Sequence, residues 1–195
     1  FSLLMPALYL PLLIMGIALL FRGVAFEFRL KSTKAKYRWS ILFGLSALLC
    51  TCIQGIVLGT FIHGFTYDAV QKTLIHVDYL TPFSFFTAIS LVIGYLLLGS
   101  TRLILKTGSN LRESMYHIAP VLSILLAACL LTVSIWTPFI NPFIEKRWFD
   151  LTLWPYLVPM PAIMMLALFI LLISLIKRVD RLPYWSAVIM FLCPY

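Results

Sequence analysis

The segment "LLFRGVAFEFRLKS" (Leu19–Ser32) marks the point where a long apolar run gives way to charge. The apolar run begins near residue 2 and stops at Arg22, after which charged residues alternate with phenylalanines. A stretch of about 20 apolar residues is long enough to cross a bilayer as an α-helix. Because Lys and Arg collect beside the cytoplasmic ends of such helices, the segment predicts a membrane span with a basic flank.

The composition of the whole chain is that of an integral membrane protein. Of its 195 residues, 62% are hydrophobic and 11% are charged, whereas soluble chains are roughly 45–50% apolar. The apolar runs are continuous and do not alternate, which excludes the pattern of a β-barrel. We therefore predict an all-α, polytopic transmembrane helix bundle that forms a single transmembrane domain over residues 1–195. The expected spans are 2–21, 39–62, 82–105, 118–140, 154–176 and 183–195.

The basic residues are concentrated in every second loop. Twelve of the 15 Lys and Arg residues lie in or beside segments 22–38, 106–117 and 177–182. The positive-inside rule predicts that these three loops are cytoplasmic. The formal net charge of +8 is therefore explained by membrane topology, and the chain lacks the Arg-rich and aromatic pattern of a nucleic-acid binder.

The expected spans contain no Asp, Glu or Lys, which argues against a complete ion pathway within this chain. Gln54 in "CIQGIVLGT" is the most polar side chain deep in a span. It either bonds across a helix contact or lines a ligand or water cavity. Gly55 and Gly59 are four residues apart and predict a close helix contact, and Gly94 and Gly99 are interpreted in the same way.

No metal site is predicted. The four cysteines, Cys50, Cys52, Cys129 and Cys193, fall inside expected spans and form no C-x-x-C motif. The three histidines, His63, His76 and His117, lie near span ends or in loops. Haem-ligating pairs in helical bundles project from facing helices, so we expect this chain to bind no haem.

The charged residues of the opening segment allow two interpretations. Arg22, Glu27 and Arg29 form either a structural ion pair or a proton-entry or lipid/quinone-headgroup site. If the helix continues past the apolar run, Arg22 and Arg29 share one face. Phe26 and Phe28 flank the acid, which predicts partial burial of Glu27.

Several stretches occur in the order typical of one family. The segment "FRGVAFEFRLKS" is followed by a basic loop and "QGIVLG", then by "TPFSFFTAISLVIGYLLLGSTRLILKTGSNLRE" and finally by "KRVDRLPYWSAVIMF". Taken together, these stretches resemble subunit II of the cytochrome bd-type quinol oxidases over essentially the whole chain. The family's first two spans, with their Trp-Asp-Gly-Asn-type motif, have no match here. We therefore expect an internal piece of a longer protein.

The resemblance implies a heteromeric complex of electron transport and aerobic respiration in the bacterial inner membrane. That complex oxidises quinol and reduces O2 to water with electrogenic proton uptake. Haem b and haem d are expected in the partner, subunit I, and none in this chain. Subunit II supports assembly and contributes in some members to a proton, quinone or O2 path, including a bound quinone. Arg22, Glu27 and Arg29 are the residues carried over, with Gln54 second, and no catalytic residue is assigned.

Two alternatives remain open from the residues alone. A small-molecule permease or exporter would also be a polytopic helical protein, but it should show broken helices or inverted repeats around a midplane site. A purely structural assembly subunit would differ only in that none of its residues contacts protons, quinone or O2.

Overall fold

The described part of the chain is almost entirely helical, which confirms the predicted polytopic helical membrane fold. The computed structural model describes residues 4–64, 66–68, 73–76, 78–140, 159–179 and 182–192. The elements in these ranges are α1 (Leu4–Lys31), α2 (Lys36–His63), β1 (Thr66–Asp68), β2 (Thr73–His76), α3 (Pro82–Lys106), α4 (Ser109–Ile140), α5 (Pro159–Ile176) and α6 (Leu182–Leu192). β1 and β2 pair antiparallel within a segment predicted to be a loop.

Four helices are long and apolar enough to cross a membrane. They cover Leu8–Lys31, Lys36–His63, Pro82–Lys106 and Asn110–Ile140. The 28 residues of α1 correspond to about 42 Å of helix at 1.5 Å per residue, which exceeds the roughly 30 Å of a bilayer's hydrocarbon core. α5 and α6 are shorter apolar helices. Residues 154–158 and 193–195 of the last two expected spans lie outside the described residues.

Two helices extend well beyond their expected spans. α1 continues from Phe21 to Lys31, and α4 begins at Ser109, nine residues before Ile118. Most of the expected loops 22–38 and 106–117 is therefore helix. The apolar pattern reports only the lipid-facing part of a helix, whereas Arg, Lys and Glu are good helix formers outside it. Arg29 and Lys31 also lie in the last turn of α1, where positive charge is favourable.

Contacts divide the chain into two compact units, Phe1–Val92 and Ile93–Tyr195. In the first unit, α1 and α2 form a hairpin connected through Ser32–Ala35. The Ser32 hydroxyl accepts a hydrogen bond from the backbone N–H of Ala35 at 3.1 Å, which closes this turn. Ala18 and Ala25 lie two turns apart on α1 and are both buried. Small side chains at this spacing allow the two helices to pack closely.

The second unit contains the end of α3 together with α4, α5 and α6. α5 packs against both α4 and α6. The fully buried side chains of this unit include Leu97 and Ile104 on α3, Leu171 on α5 and Met190 on α6. Several buried hydroxyls here bond within their own helices; Thr101, for example, donates to the carbonyl of Leu97 at 2.9 Å. Such bonds satisfy polar groups that lipid cannot.

Candidate functional site

The charged end of α1 packs against the start of α2 through aromatic rings. The guanidinium of Arg22 lies 5.2 Å from the ring centroid of Phe43, and the ring of Phe26 lies 6.4 Å from that of Phe43. Phe28 stacks on Trp39 with 4.9 Å between centroids. Aromatic pairs contribute about 0.5–1.5 kcal/mol beyond the area they bury. These contacts fix the helical extension beyond Phe21.

Glu27 lies on a different side of α1. Each residue of a helix is rotated by about 100° from the one before it. Glu27 therefore lies about 160° around the helix from the buried Ala25, on nearly the opposite face. Arg22 and Arg29 both lie within about 60° of Ala25. Glu27 is exposed, so the expected partial burial is wrong for the chain by itself. The reason is that Phe26 and Phe28 turn towards α2 and leave the acid on the outer face. Within the described residues, no cation lies within ion-pair distance of Glu27.

Gln54 and the two glycines beside it have different surroundings. Gln54 is exposed, whereas Gly55 and Gly59 are buried. A Cβ atom at Gly55 would collide with the Cα of Ala88 on α3, and one at Gly59 would lie 2.5 Å from the Cα of Ser84. The hydroxyl of Thr87 donates to the carbonyl of Gly55 at 3.0 Å. The two glycines therefore permit a backbone contact between α2 and α3, and Gln54 lies about 100° away from it.

The other two glycines selected from the sequence differ from each other. A Cβ at Gly94 would lie 2.6 Å from the ring of Phe191 on α6, whose centroid is 5.2 Å from that of Tyr95. A Cβ at Gly99 would meet no heavy atom within 4 Å in the described structure. Gly94 therefore lies at a close helix contact, and the contact expected at Gly99 is not formed in this part of the chain.

A charged cluster that was not predicted from the sequence lies at one end of the second unit. Arg178 donates to a carboxylate oxygen of Glu113 at 2.8 Å. The guanidiniums of Arg112 and Arg178 lie 5.9 and 5.8 Å from the ring centroid of Tyr116. These four residues line a cavity of about 210 Å³. The spacing of Arg112 and Tyr116, one turn apart, was visible in the sequence, but nothing in it connects them with Arg178.

A second missed contact lies in the same unit. Arg102, on α3, donates to the hydroxyl of Tyr184 on α6 at 3.1 Å, and its guanidinium lies 5.6 Å from the ring of that tyrosine. This contact connects α3 to the start of α6.

Metal ligands are not grouped in the described part of the chain. No three His, Cys, Asp or Glu side chains there lie close enough to hold a metal ion. His63 and His117 are exposed, and neither faces a second histidine from an opposing helix in these ranges. The described residues therefore do not fit an axial haem pair.

These features define a polytopic helical membrane protein in which four described arginines contact aromatic rings. The chain belongs to the family of cytochrome bd terminal oxidase subunit II, whose family model matches residues 1–195. The resemblance noted from the sequence is thereby confirmed. The family is part of a haem-containing terminal oxidase complex, so membership implies a partner subunit. No curated protein matches the chain.

Proposed function

We propose that this chain is the haem-free subunit II of a cytochrome bd-type oxidase in a bacterial inner membrane. The complex oxidises quinol, reduces O2 to water and takes up protons electrogenically from the cytoplasm. This chain supports the assembly and stability of the haem-bearing subunit I. The observation that carries the proposal is the match of the family model to all 195 residues.

The geometry of α1 supports a role for Glu27 outside this chain's own packing. Its carboxylate is exposed, lacks a cation within ion-pair distance in the described residues, and lies near the C-terminal end of a helix. A negative charge is unfavourable there because the helix dipole is also negative. A partner cation, a proton or a quinol hydroxyl would offset that cost. We propose Arg22, Glu27 and Arg29 as the first candidates for a proton or quinone site, and Gln54 as the second.

Co-purification tests the oxidase assignment. The full-length protein is purified from its native membrane in mild detergent, and a reduced-minus-oxidised visible spectrum is recorded. We expect the bands of haem b and haem d, contributed by the co-purifying partner. A haem-free preparation without a partner would overturn the assignment and favour a permease or exporter.

Substitution of Glu27 separates a functional from a purely structural subunit. In complexes with unchanged haem content, we expect Glu27→Gln to lower quinol-driven O2 consumption by at least about tenfold, because the variant cannot exchange a proton. Glu27→Asp, which keeps the carboxylate, should recover most of the rate. Wild-type turnover and proton uptake in Glu27→Gln would instead support a structural assembly subunit.

A further inference from the structure

The charged cluster of Arg112, Glu113, Tyr116 and Arg178, here called the arginine–tyrosine cluster, has no part in the proposed oxidase chemistry. Two guanidiniums lie within 6 Å of the same tyrosine ring. Both guanidiniums are permanently positive in a protein. The carboxylate of Glu113 contacts Arg178 at 2.8 Å.

The backbone at Arg178 is arranged in an unusual way. The N–H of Val179 bonds to the carbonyl of Ser174 at 3.0 Å, and that of Arg178 bonds to Leu175 at 3.3 Å. This pattern is a Schellman motif, which ends α5 and requires a left-handed residue at the position of Arg178. Arg178 has a φ of 53° and is the one non-glycine residue with positive φ in the described chain.

Glycine is the usual residue at that position, because a side chain there costs roughly 1–2 kcal/mol. The positive-inside rule and the helix dipole favour a basic residue at the end of α5, but neither favours a side chain at the left-handed position itself. The left-handed turn directs the guanidinium onto Tyr116 and Glu113. Strained residues of this kind concentrate at binding sites.

The cluster is accessible and retains hydrogen-bonding capacity. The side chains of Arg178 and Glu113 are 61% and 56% exposed, so their ion pair is weak. A guanidinium carries five N–H donors, and Arg178 uses one of its nitrogens on Glu113. The cavity of about 210 Å³ is several times the roughly 30 Å³ that a water molecule occupies. The cavity therefore has room for a small anionic group.

We propose that the arginine–tyrosine cluster binds the phosphate of an anionic phospholipid headgroup. Guanidiniums bind phosphate oxygens through paired hydrogen bonds, and basic pockets between transmembrane helices recognise anionic headgroups. The apolar faces of α4 and α5 begin within a turn or two of the cluster, so acyl chains would lie along them. This proposal does not depend on the oxidase assignment.

Lipid-dependent melting of the full-length protein, purified with its native partner and stripped of lipid in detergent, tests the proposal. Dioctanoyl phosphatidylglycerol is titrated, with dioctanoyl phosphatidylcholine and inorganic phosphate as comparisons. Arg178→Gly removes the guanidinium but keeps the left-handed backbone, so it should fold at least as well as the wild type. Arg112→Gln tests the second guanidinium, and Lys177→Gln is the matched control because it removes an adjacent exposed charge outside the cluster.

We expect phosphatidylglycerol to raise the melting temperature of the wild type and of Lys177→Gln at the same concentrations. Arg178→Gly and Arg112→Gln should each need about tenfold more of this lipid, as expected for the loss of one charge-assisted contact. Equal stabilisation by phosphatidylcholine would overturn the proposal, as would an unchanged titration in both arginine variants. An equal shift with inorganic phosphate alone would also overturn it, since the site would then select the free ion.

Discussion

At the scale of single residues, the contact between α2 and α3 depends on positions where only a hydrogen atom fits. Because a Cβ at Gly55 would collide with the backbone of Ala88, Gly55→Ala must push the two helices apart. The displacement also lengthens the 3.0 Å hydrogen bond from Thr87 to the Gly55 carbonyl. We expect a cost of about 1–3 kcal/mol and a fall in melting temperature of roughly 2–10 °C, measured on the purified protein.

Gly44→Ala is the matched control on the same helix, because a Cβ there meets nothing within 4 Å. Alanine is a better helix former than glycine by roughly 0.5–1 kcal/mol, so this variant should melt at or slightly above the wild-type temperature. Equal melting of Gly55→Ala and Gly44→Ala would mean that the α2–α3 contact does not need the glycine.

The sequence predicted the close approach at Gly55 and Gly59 because small residues four positions apart in a membrane helix are typical of a close helix–helix contact. It did not identify the partner face on α3, although Ser84, Thr87 and Ala88 repeat at the spacing of one helical turn. Arg112 and Arg178 were beyond sequence reasoning. These two residues are far apart in the chain. The left-handed turn that ends α5 occurs at Arg178 itself, so no glycine in the sequence indicates it.

At the scale of elements, the helical extension of α1 beyond Phe21 makes a prediction about backbone protection. Phe28 stacks on Trp39, and this stack holds the extension against α2. We expect the amides of residues 22–31 to exchange with deuterium more slowly than those of 32–35, which lie outside helices. Phe28→Ala should speed exchange near residues 26–31 by roughly 2- to 12-fold, from the 0.5–1.5 kcal/mol of an aromatic pair.

Leu30→Ala is the control for this experiment, because Leu30 is 69% exposed and has no ring partner. Its exchange should stay close to that of the wild type. Equally fast exchange over 22–31 and 32–35 in the wild type would place the end of α1 near Phe21.

The same extension shows where sequence reasoning about elements stopped. Apolar runs located the membrane-crossing part of each long helix because lipid requires continuous hydrophobicity there. They missed the C-terminal end of α1 and the start of α4, because charged residues interrupt the apolar pattern while the backbone continues to form helical hydrogen bonds. The short β1–β2 pair was missed because strands of three and four residues carry too little pattern to be recognised.

At the scale of the whole molecule, the distribution of charge makes a prediction about membrane topology. Twelve of the 15 basic residues lie in or beside the α1–α2 connection, the α3–α4 connection and segment 177–182. The positive-inside rule therefore predicts that these three regions are cytoplasmic. Single cysteines at Thr33, Gly108 and Leu80 test this in a background where the four native cysteines are replaced by alanine. All three positions are exposed and outside helices.

In intact spheroplasts, we expect a membrane-impermeant maleimide to label Leu80→Cys and to spare Thr33→Cys and Gly108→Cys, both of which should react after lysis. The cysteine-free parent is the control for background labelling. Labelling of Thr33→Cys before lysis would show that the chain has the opposite orientation in the membrane. Glu27 and the arginine–tyrosine cluster would then face the opposite side of the membrane, and Glu27 would have no access to protons from the cytoplasm. The topology measurement therefore decides whether the proposed proton entry at α1 is physically possible.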